Sequence, residues 1–308
     1  MASWNAERDA EVRASAIAYV RRITDASGGI ITREELEAFV FEGQQTKLID
    51  QSRGIRNPAQ LPATLTILTN PAGPYDDSVA ADGFPRYSIR SGDWAQGDNR
   101  KLQEAFEREV PLIWLQTITP GRFVATAPVY LVDADPVEGK YTVALDNEMR
   151  LAFNAPTPLE AAYARTLVKR RLHQPAFRAR VMDAYRVRCA ICALRHGNLL
   201  DAAHITPDAQ VRGTPEVSNG LALCKIHHAA FDSNVLGIRP DYVVQVATDV
   251  LLEKDGPMLE HGLQAFHGRS LREIPERKAL RPDRDRLEER FALFRAAIGS
   301  RSVGPGKR

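Results

Sequence analysis

Two stretches decide the fold of this 308-residue chain, Cys189-Ala-Ile-Cys192 and Cys224-Lys-Ile-His227-His228. They hold all three of its cysteines, as a C-x2-C pair and a C-x2-H pair separated by 31 residues. The cysteine count is odd and the spacing is that of metal ligands, which argues against a set of disulfides. The N-terminus is charged where a secretory signal would be apolar, so the thiols are expected to stay reduced. The sequence therefore predicts a tetrahedral zinc site formed by Cys189, Cys192, Cys224 and His227.

This predicted zinc site is structural, because protein side chains would fill all four ligand positions. The C-x2-H spacing favours His227 over His228 as the fourth ligand. Adjacent residues of a helix point in different directions, which leaves His228 for another task. The alternative is three buried thiols beside a surface histidine.

The residues between the two pairs predict a second site. Leu199-Leu-Asp-Ala-Ala-His204-Ile205 has the texture of a strand, and the loop after it ends at Asn219-Gly220. A helix over residues 223–232 would place His228 and Asp232 on one face, at i and i+4. A neutral histidine opposite a His/Asp pair suits hydrolysis of a phosphodiester assisted by a divalent ion.

Residues 175–238 resemble the zinc-containing HNH, or ββα-metal, nucleases. The segments that carry the resemblance are Ala202-Ala-His204-Ile205, Asn219-Gly220-Leu221, Leu223-Cys224, His227-His228 and Phe231-Asp232. The resemblance implies that His204 is the general base and that Asn219 braces the loop that orients it. It also implies that His228 and Asp232 hold a catalytic divalent ion such as Mg²⁺ or Mn²⁺.

One position departs from this family pattern. Many relatives have an acid or a histidine immediately before the base, where this chain has Ala203. Asp201 lies two residues earlier, on the same face of a strand and about 6.6 Å away. It is either a substitute metal ligand or a structural acid. His196 is expected to be a surface residue.

The N-terminal half predicts a small, curved, mostly antiparallel β-domain with flanking helices. Helices are expected over residues 5–26, from the capping box at Thr32, and over 99–109. Short β-rich runs are expected at 64–69, 87–89, 112–115, 123–126, 129–132 and 141–145. The whole chain is then an α+β protein with four parts: a reading domain over 1–152, a basic helical linker over 153–174, a nuclease domain with additional helices over 175–299 and a disordered tail over 300–308.

Aromatic and acidic residues gather around turns in this first domain. An extruded base needs aromatic faces for stacking and acceptors for its exocyclic amine. Residues 60–145 are similar to SRA domains of the PUA-like superfamily, which read modified cytosine, although Ser91-Gly92 replaces their Gly-Gly. The alternative is that these rings fill a β-core. The base-pocket candidates are Tyr75, Asp76, Asp77, Tyr87, Trp94 and Trp114.

Charge is unevenly distributed along the chain. The net charge is only +2, but residues 161–200 hold nine Lys or Arg and a single acid, Asp183. Such a run suits double-stranded DNA as the partner, and a solvated helix face is the alternative. The candidates for contact with the DNA backbone are Arg178, Arg180, Arg186 and Arg188.

Together these patterns indicate a modification-dependent restriction endonuclease. Cutting both strands needs two nuclease centres, so a homodimer on DNA is expected. The sequence predicts a cytoplasmic protein without a membrane segment. A first alternative keeps the nuclease and makes the N-terminal domain a nucleotide sensor or a plain DNA clamp. A second makes the zinc module a non-catalytic DNA-binding finger.

Overall fold

The computed structural model describes residues 5–50, 54–70, 84–90, 92–94, 96–153, 162, 166–208, 210 and 212–301. The chain divides into two compact units, residues 1–176 and 177–308. Both helices and sheets occur in each unit, which confirms the predicted α+β class. No helix in the described ranges is long and apolar enough to cross a bilayer.

The described helices of the first unit are α1 (Ala6–Ser27), α2 (Arg33–Glu37), α3 (Gly97–Glu107) and α4 (Asn147–Ala152). Its strands are β1 (Ile31–Thr32), β2 (Val40–Phe41), β3 (Gln44–Gln45), β4 (Ile55–Arg56), β5 (Thr66–Thr69), β6 (Arg86–Ser88), β7 (Leu112–Thr119), β8 (Arg122–Asp135) and β9 (Lys140–Ala144). A π-helical turn over Lys169–His173 leads into α5 (Gln174–Ala184), which contains the boundary between the units.

Local signals set several of these element ends. Asn5 caps α1 by accepting a hydrogen bond from the Arg8 amide. Gly28 ends that helix at φ 69°, a left-handed conformation that glycine adopts without strain. Thr32 and Glu35 form the capping box expected at the start of α2. The predicted helices in this region are therefore confirmed.

A seven-stranded mixed sheet in the described part of the first unit runs β4-β5-β7-β8-β9-β6, with β1 paired to β8. Strands β5 and β7 are parallel and the other pairs are antiparallel. The two runs expected at 123–126 and 129–132 are parts of the single strand β8. Its pairing with β7 shifts register between Thr126 and Val129.

Strand β7 has both faces buried. Leu112 and Trp114 belong to one hydrophobic core, while Ile113 and Leu115 belong to a second core that includes residues of α1. Successive side chains of a strand point to opposite faces, so this continuous apolar run requires cover on both sides of the sheet.

Three residues of the segment expected as a basic helical linker, 153–174, lie in the core of the first unit. Leu167, Val168 and Leu172 are each at most 3% exposed and pack in the core that contains Trp114. Hydrophobic burial therefore makes these residues part of the first unit. The last helix continues to Arg301, so residues 300 and 301 of the expected tail are helical, and the rest of that tail lies outside the described residues.

Arg13 anchors α1 to the sheet. Its side chain is fully buried and pairs with Asp9 at 2.9 Å. It also donates hydrogen bonds to the carbonyls of Ala63, Thr64 and Pro111, just before β5 and β7. The carboxylate and the three carbonyls replace the hydrogen bonds to water that the guanidinium loses when it is buried.

The second unit continues with strands β10 (Leu200–His204), β11 (Gly220–Cys224), β12 (Leu236–Ile238) and β13 (Val244–Val246). Its helices are α6 (Lys225–Asp232), α7 (Thr248–Leu252), α8 (Pro257–Gly262) and α9 (Arg284–Arg301). Strands β10 and β11 form one antiparallel hairpin, and β12 and β13 form another. Helix α6 begins at the residue after β11, which gives the order strand, strand, helix.

We predict that Arg13→Met lowers the free energy of unfolding of the first unit by about 3–5 kcal/mol, because Asp9 would stay buried without its cation. All three tryptophans precede residue 177, so tryptophan fluorescence during urea unfolding reports this unit. Arg8→Met is the control, since Arg8 pairs with Glu42 at an exposed site and should contribute about 1 kcal/mol or less. Equal losses in the two variants would contradict the anchoring role of Arg13.

Candidate active site

The three cysteines converge with His227 in the second unit. One ligand atom from each of Cys189, Cys192, Cys224 and His227 lies within 4.8 Å of all the others. Cys189 and Cys192 lie in the turn that follows α5, and the amide of Ala190 holds this turn to β11 through the Ala222 carbonyl at 2.7 Å. Cys224 ends β11 and His227 lies in the first turn of α6. Backbone pairing therefore brings the two half-sites together.

The ring of His227 has the orientation of a metal ligand. Nδ1 lies 3.1 Å from the Cys224 sulfur and 3.5 Å from the Cys189 sulfur. Nε2 lies 2.9 Å from the Gly262 carbonyl, which accepts only from a protonated nitrogen. The tautomer with the proton on Nε2 leaves the Nδ1 lone pair facing the sulfurs, as metal ligation requires.

The protonation of this cluster also fits a bound cation. Hydrogen bonds from the Cys189 and Cys192 thiols lower the pKa of Cys224. Burial lowers the pKa of His227, but contacts with the Cys192 and Cys224 sulfurs outweigh burial and raise it to about 9. The sulfurs therefore favour positive charge at Nδ1, which a bound metal ion would supply in place of a proton. Three cysteine sulfurs and one imidazole nitrogen within 4.8 Å of one another are a ligand set that zinc prefers.

His204 ends β10, where it pairs in register with Gly220 of β11. Its half-buried imidazole stacks on the ring of Phe177 from α5, with 4.1 Å between centroids and 18° between planes. Gly220 leaves room for this contact, because a Cβ there would lie 2.4 Å from Cγ2 of Val181 and 3.0 Å from Cζ of Phe177.

Asn219 ties together the two ends of the loop that joins β10 to β11. Its side chain is fully buried. Its Oδ1 accepts from the Thr206 amide at 2.8 Å, and its Nδ2 donates to the carbonyls of Thr206 and Thr214, each at 3.0 Å. The Asn219 carbonyl also accepts from the amide of Ile205, the residue after His204. These four bonds hold the backbone beside His204.

His228 lies between two carboxylates. Its Nε2 is 3.2 Å from Oδ2 of Asp232, one helical turn along α6, and its Nδ1 is 3.4 Å from Oδ2 of Asp201 on β10. Lys225 donates to both Asp201 oxygens, at 2.6 and 2.7 Å. Partial burial raises the pKa of Asp201, but the bonds from Lys225 and His228 outweigh burial and bring it below its ordinary value. The carboxylate is therefore held in its charged form.

Residues 189–239 match the family model described as HNH endonuclease. This segment is an HNH endonuclease domain. A match over this segment supports metal-dependent endonuclease activity, and nucleases of this family use divalent metal ions. The hairpin β10–β11, helix α6 and the Cys3His cluster all lie within the matched HNH domain.

Two solved structures similar to this chain are restriction endonucleases. The modification-dependent enzyme TagI shares 16% identity over 89% of each chain, with a TM-score of 0.31. The type IV phosphorothioation-dependent enzyme ScoMcrA shares 15% identity over 59% of this chain and 48% of its own, with a TM-score of 0.24. No curated protein gives a significant match. The functional conclusion depends on the HNH domain and its side chains rather than on these distant likenesses.

Three of the four arginines predicted to contact DNA bind groups of the protein itself. Arg178 donates to the carbonyls of Gly197 and Leu200. Arg186 and Arg188 both pair with Glu273, whose side chain is only 10% exposed. Arg180 is half-buried, and burial lowers its pKa. Several cations of the basic run are therefore engaged within the protein, and its formal charge overstates the cations available to a polyanion.

The described base-pocket candidates lie in or against the core of the first unit. Tyr87 and Trp114 are at most 3% exposed, and their rings meet edge to face. The Tyr87 hydroxyl donates a hydrogen bond to the Gly54 carbonyl, and the Trp114 indole N–H donates one to the Thr69 hydroxyl. Trp94 stacks on Tyr141 at 4.9 Å between centroids. Tyr87 and Trp114 therefore fit the alternative in which the rings fill the β-core, because the protein's own side chains cover them. Three further candidates lie outside the described residues, Tyr75, Asp76 and Asp77.

Sequence reasoning missed Phe177 and Lys225. Each contacts a predicted site residue more than 20 positions away, His204 for Phe177 and Asp201 for Lys225. One signal was present, since Phe177, Val181 and Tyr185 recur at a spacing of four, the period of one helix face. That spacing alone indicates burial, and the stacking partner appears only when α5 packs on the hairpin.

We predict that His227→Ala loses its zinc and unfolds the second unit at a lower temperature, because structural zinc contributes directly to folding energy. His228→Ala is the matched control from the next position of the same helix. It should keep about one zinc per chain, since its ring faces Asp201 and Asp232. Metal analysis and thermal unfolding compare the two variants. Equal zinc loss in both would rule out the ligand assignment.

Proposed function

We propose that this protein is a metal-dependent DNA endonuclease in which His204 is the general base. The observation that carries this proposal is the arrangement of the HNH domain. His204 ends one strand of the hairpin, and the His228–Asp232 pair lies on the helix that follows the other strand. A base on a strand and an ion-binding pair on a helix are the groups that hydrolysis of a phosphodiester needs.

In this mechanism His204 takes a proton from the attacking water, whose oxygen forms the new bond to phosphorus. Asn219 keeps the backbone after His204 in place through its bonds to Ile205 and Thr206. His228 and Asp232 would hold the catalytic ion, Mg²⁺ or Mn²⁺. When bound, that ion supplies positive charge that stabilises the pentacovalent phosphate and the leaving 3′ oxygen.

Asp201 orients His228 in this proposal rather than replacing the ligand absent at Ala203. Ala203 is 1% exposed, so that position contributes to packing. The contact between Nδ1 of His228 and Asp201 fixes the ring and leaves Nε2 on the side of Asp232. A carboxylate that accepts from the second nitrogen of a ligating histidine is a common support for metal sites.

The Cys3His cluster holds structural zinc, and its closed ligand set leaves no position for substrate. Thiol ligands must stay reduced, which fits a cytoplasmic protein. Double-stranded DNA is the proposed substrate, cut by a homodimer that brings one centre to each strand. These assignments follow from the ligand chemistry and from the need for two cuts.

The first unit is proposed to read a modified base before the HNH domain cuts. Support comes from the similarity of residues 60–145 to SRA domains, while Tyr87 and Trp114 are core residues. The alternatives are a nucleotide sensor and a plain DNA clamp. Digestion of methylated, hydroxymethylated and unmodified plasmid with Mg²⁺ or Mn²⁺ separates them. A modified-base reader predicts cleavage of a modified substrate only, and equal cutting of all three would exclude it.

We predict that His204→Ala slows cleavage about 100-fold or more, as the loss of a general base does. Zinc content and unfolding temperature should stay near those of the unchanged protein, because His204 lies outside the Cys3His cluster. Single-turnover cleavage of the same plasmid measures the rate. Full activity in this variant would favour the alternative in which the zinc module is a non-catalytic DNA-binding finger.

We predict that Asp201→Asn keeps activity within about tenfold, because an amide oxygen still accepts from Nδ1 of His228. Asp201→Ala should lose clearly more. The Mg²⁺ concentration for half-maximal cleavage should rise in step with the loss of activity. A direct ligand role gives another pattern, in which Asn and Ala are equally inactive because both remove the carboxylate.

A further inference from the structure

The ring that covers His204 comes from outside the segment matched to the HNH family. Phe177 lies on α5, before residue 189, and is 3% exposed. Its ring lies 4.1 Å from the imidazole of His204 and is tilted by only 18°. A nearly parallel contact at this distance is direct stacking of the two rings.

A three-residue face of the α5 segment is fitted to the backbone opposite His204. Phe177, Val181 and Tyr185 recur every four residues. Val181 and Phe177 occupy the space where a side chain on Gly220 would lie. The Tyr185 hydroxyl donates to the Gly220 carbonyl at 3.2 Å. Gly220 is the residue paired with His204, so this face holds Phe177 against the imidazole.

A general base must present one nitrogen to water within hydrogen-bond reach. The terminal torsion of histidine is broad, so the backbone alone leaves the plane of the ring poorly fixed. Hydrogen bonds of Asn219 hold the backbone after His204 but do not contact its ring. A flat ring stacked on the imidazole restricts the remaining rotation.

We propose that Phe177 is a positioning residue for His204, and that its stacked ring sets the plane in which the imidazole takes the proton from water. This inference rests on the proposed function of His204. Phe177 itself touches neither water nor phosphate in this scheme. Its effect is on the rate of the chemical step, because displacement of a catalytic group by about 1 Å costs up to about 100-fold.

A purely structural role for Phe177 predicts another ranking of variants. Phe177→Leu keeps an apolar side chain but removes the flat face. Phe177→His keeps a flat face but is more polar, so it should reduce stability more than leucine does. Stacking therefore predicts opposite orders for activity and for stability in the Leu and His variants.

The test measures kcat and KM for DNA cleavage at pH 8, above the ordinary pKa of histidine. Phe177→Leu is expected to lower kcat about tenfold or more, with KM within about twofold and zinc content unchanged. Phe177→His should unfold at a lower temperature than Phe177→Leu yet cleave faster. Met182→Ala is the control, since it removes a buried side chain of the same helix that lies outside the face formed by Phe177, Val181 and Tyr185, and it should keep kcat within about threefold.

Two results would overturn the positioning role. One is a Phe177→Leu variant with the kcat of the unchanged protein. The other is a kcat that follows unfolding temperature alone across the Phe177→Leu, Phe177→His and Met182→Ala variants. His204→Ala is measured in the same series, and full activity there would refute the proposed function itself. Loss of activity in His204→Ala with normal activity in Phe177→Leu would refute only the role of Phe177.

Discussion

The second unit depends on the position of Cys224. This residue ends β11, caps α6 and contributes a sulfur to the Cys3His cluster. Its pairing with Leu200 sets the register of the hairpin and so places His204 opposite Gly220. Because the helix begins at the next residue, the same point fixes where His228 and Asp232 lie relative to β10. Cys224 therefore positions both the Cys3His cluster and the residues proposed for catalysis.

Features encoded by short-range spacing were predictable from the sequence. The pairing of Cys189 with Cys192 and of Cys224 with His227 follows from two-residue separations, and the four residues meet in the structure. The capping box at Thr32 and the helical spacing of His228 and Asp232 are equally local. Each depends on neighbours within one helical turn, where geometry varies little.

Residues with two plausible environments were harder to place. An aromatic ring suits a core as well as a base pocket, and Tyr87 and Trp114 lie in the core. An arginine suits a carboxylate as well as a phosphate, and Arg186 and Arg188 bind Glu273, which lies 85 or more positions away. The deciding partner is distant in sequence in each case. Local pattern therefore carries no information about it.

The adjacency of His227 and His228 has a consequence for how the protein sorts metal ions. One peptide bond separates a buried nitrogen among three sulfurs from a ring that lies between two carboxylates. Soft sulfur donors retain zinc, whereas imidazole with carboxylates accepts harder ions and leaves room for water. Under the proposed assignment, ligand softness rather than distance keeps the two ions apart. A shift of α6 by one residue would move one histidine into the other's environment and put Ile226 or Ala229 at the vacated site, so correct loading of both sites depends on a single helix register.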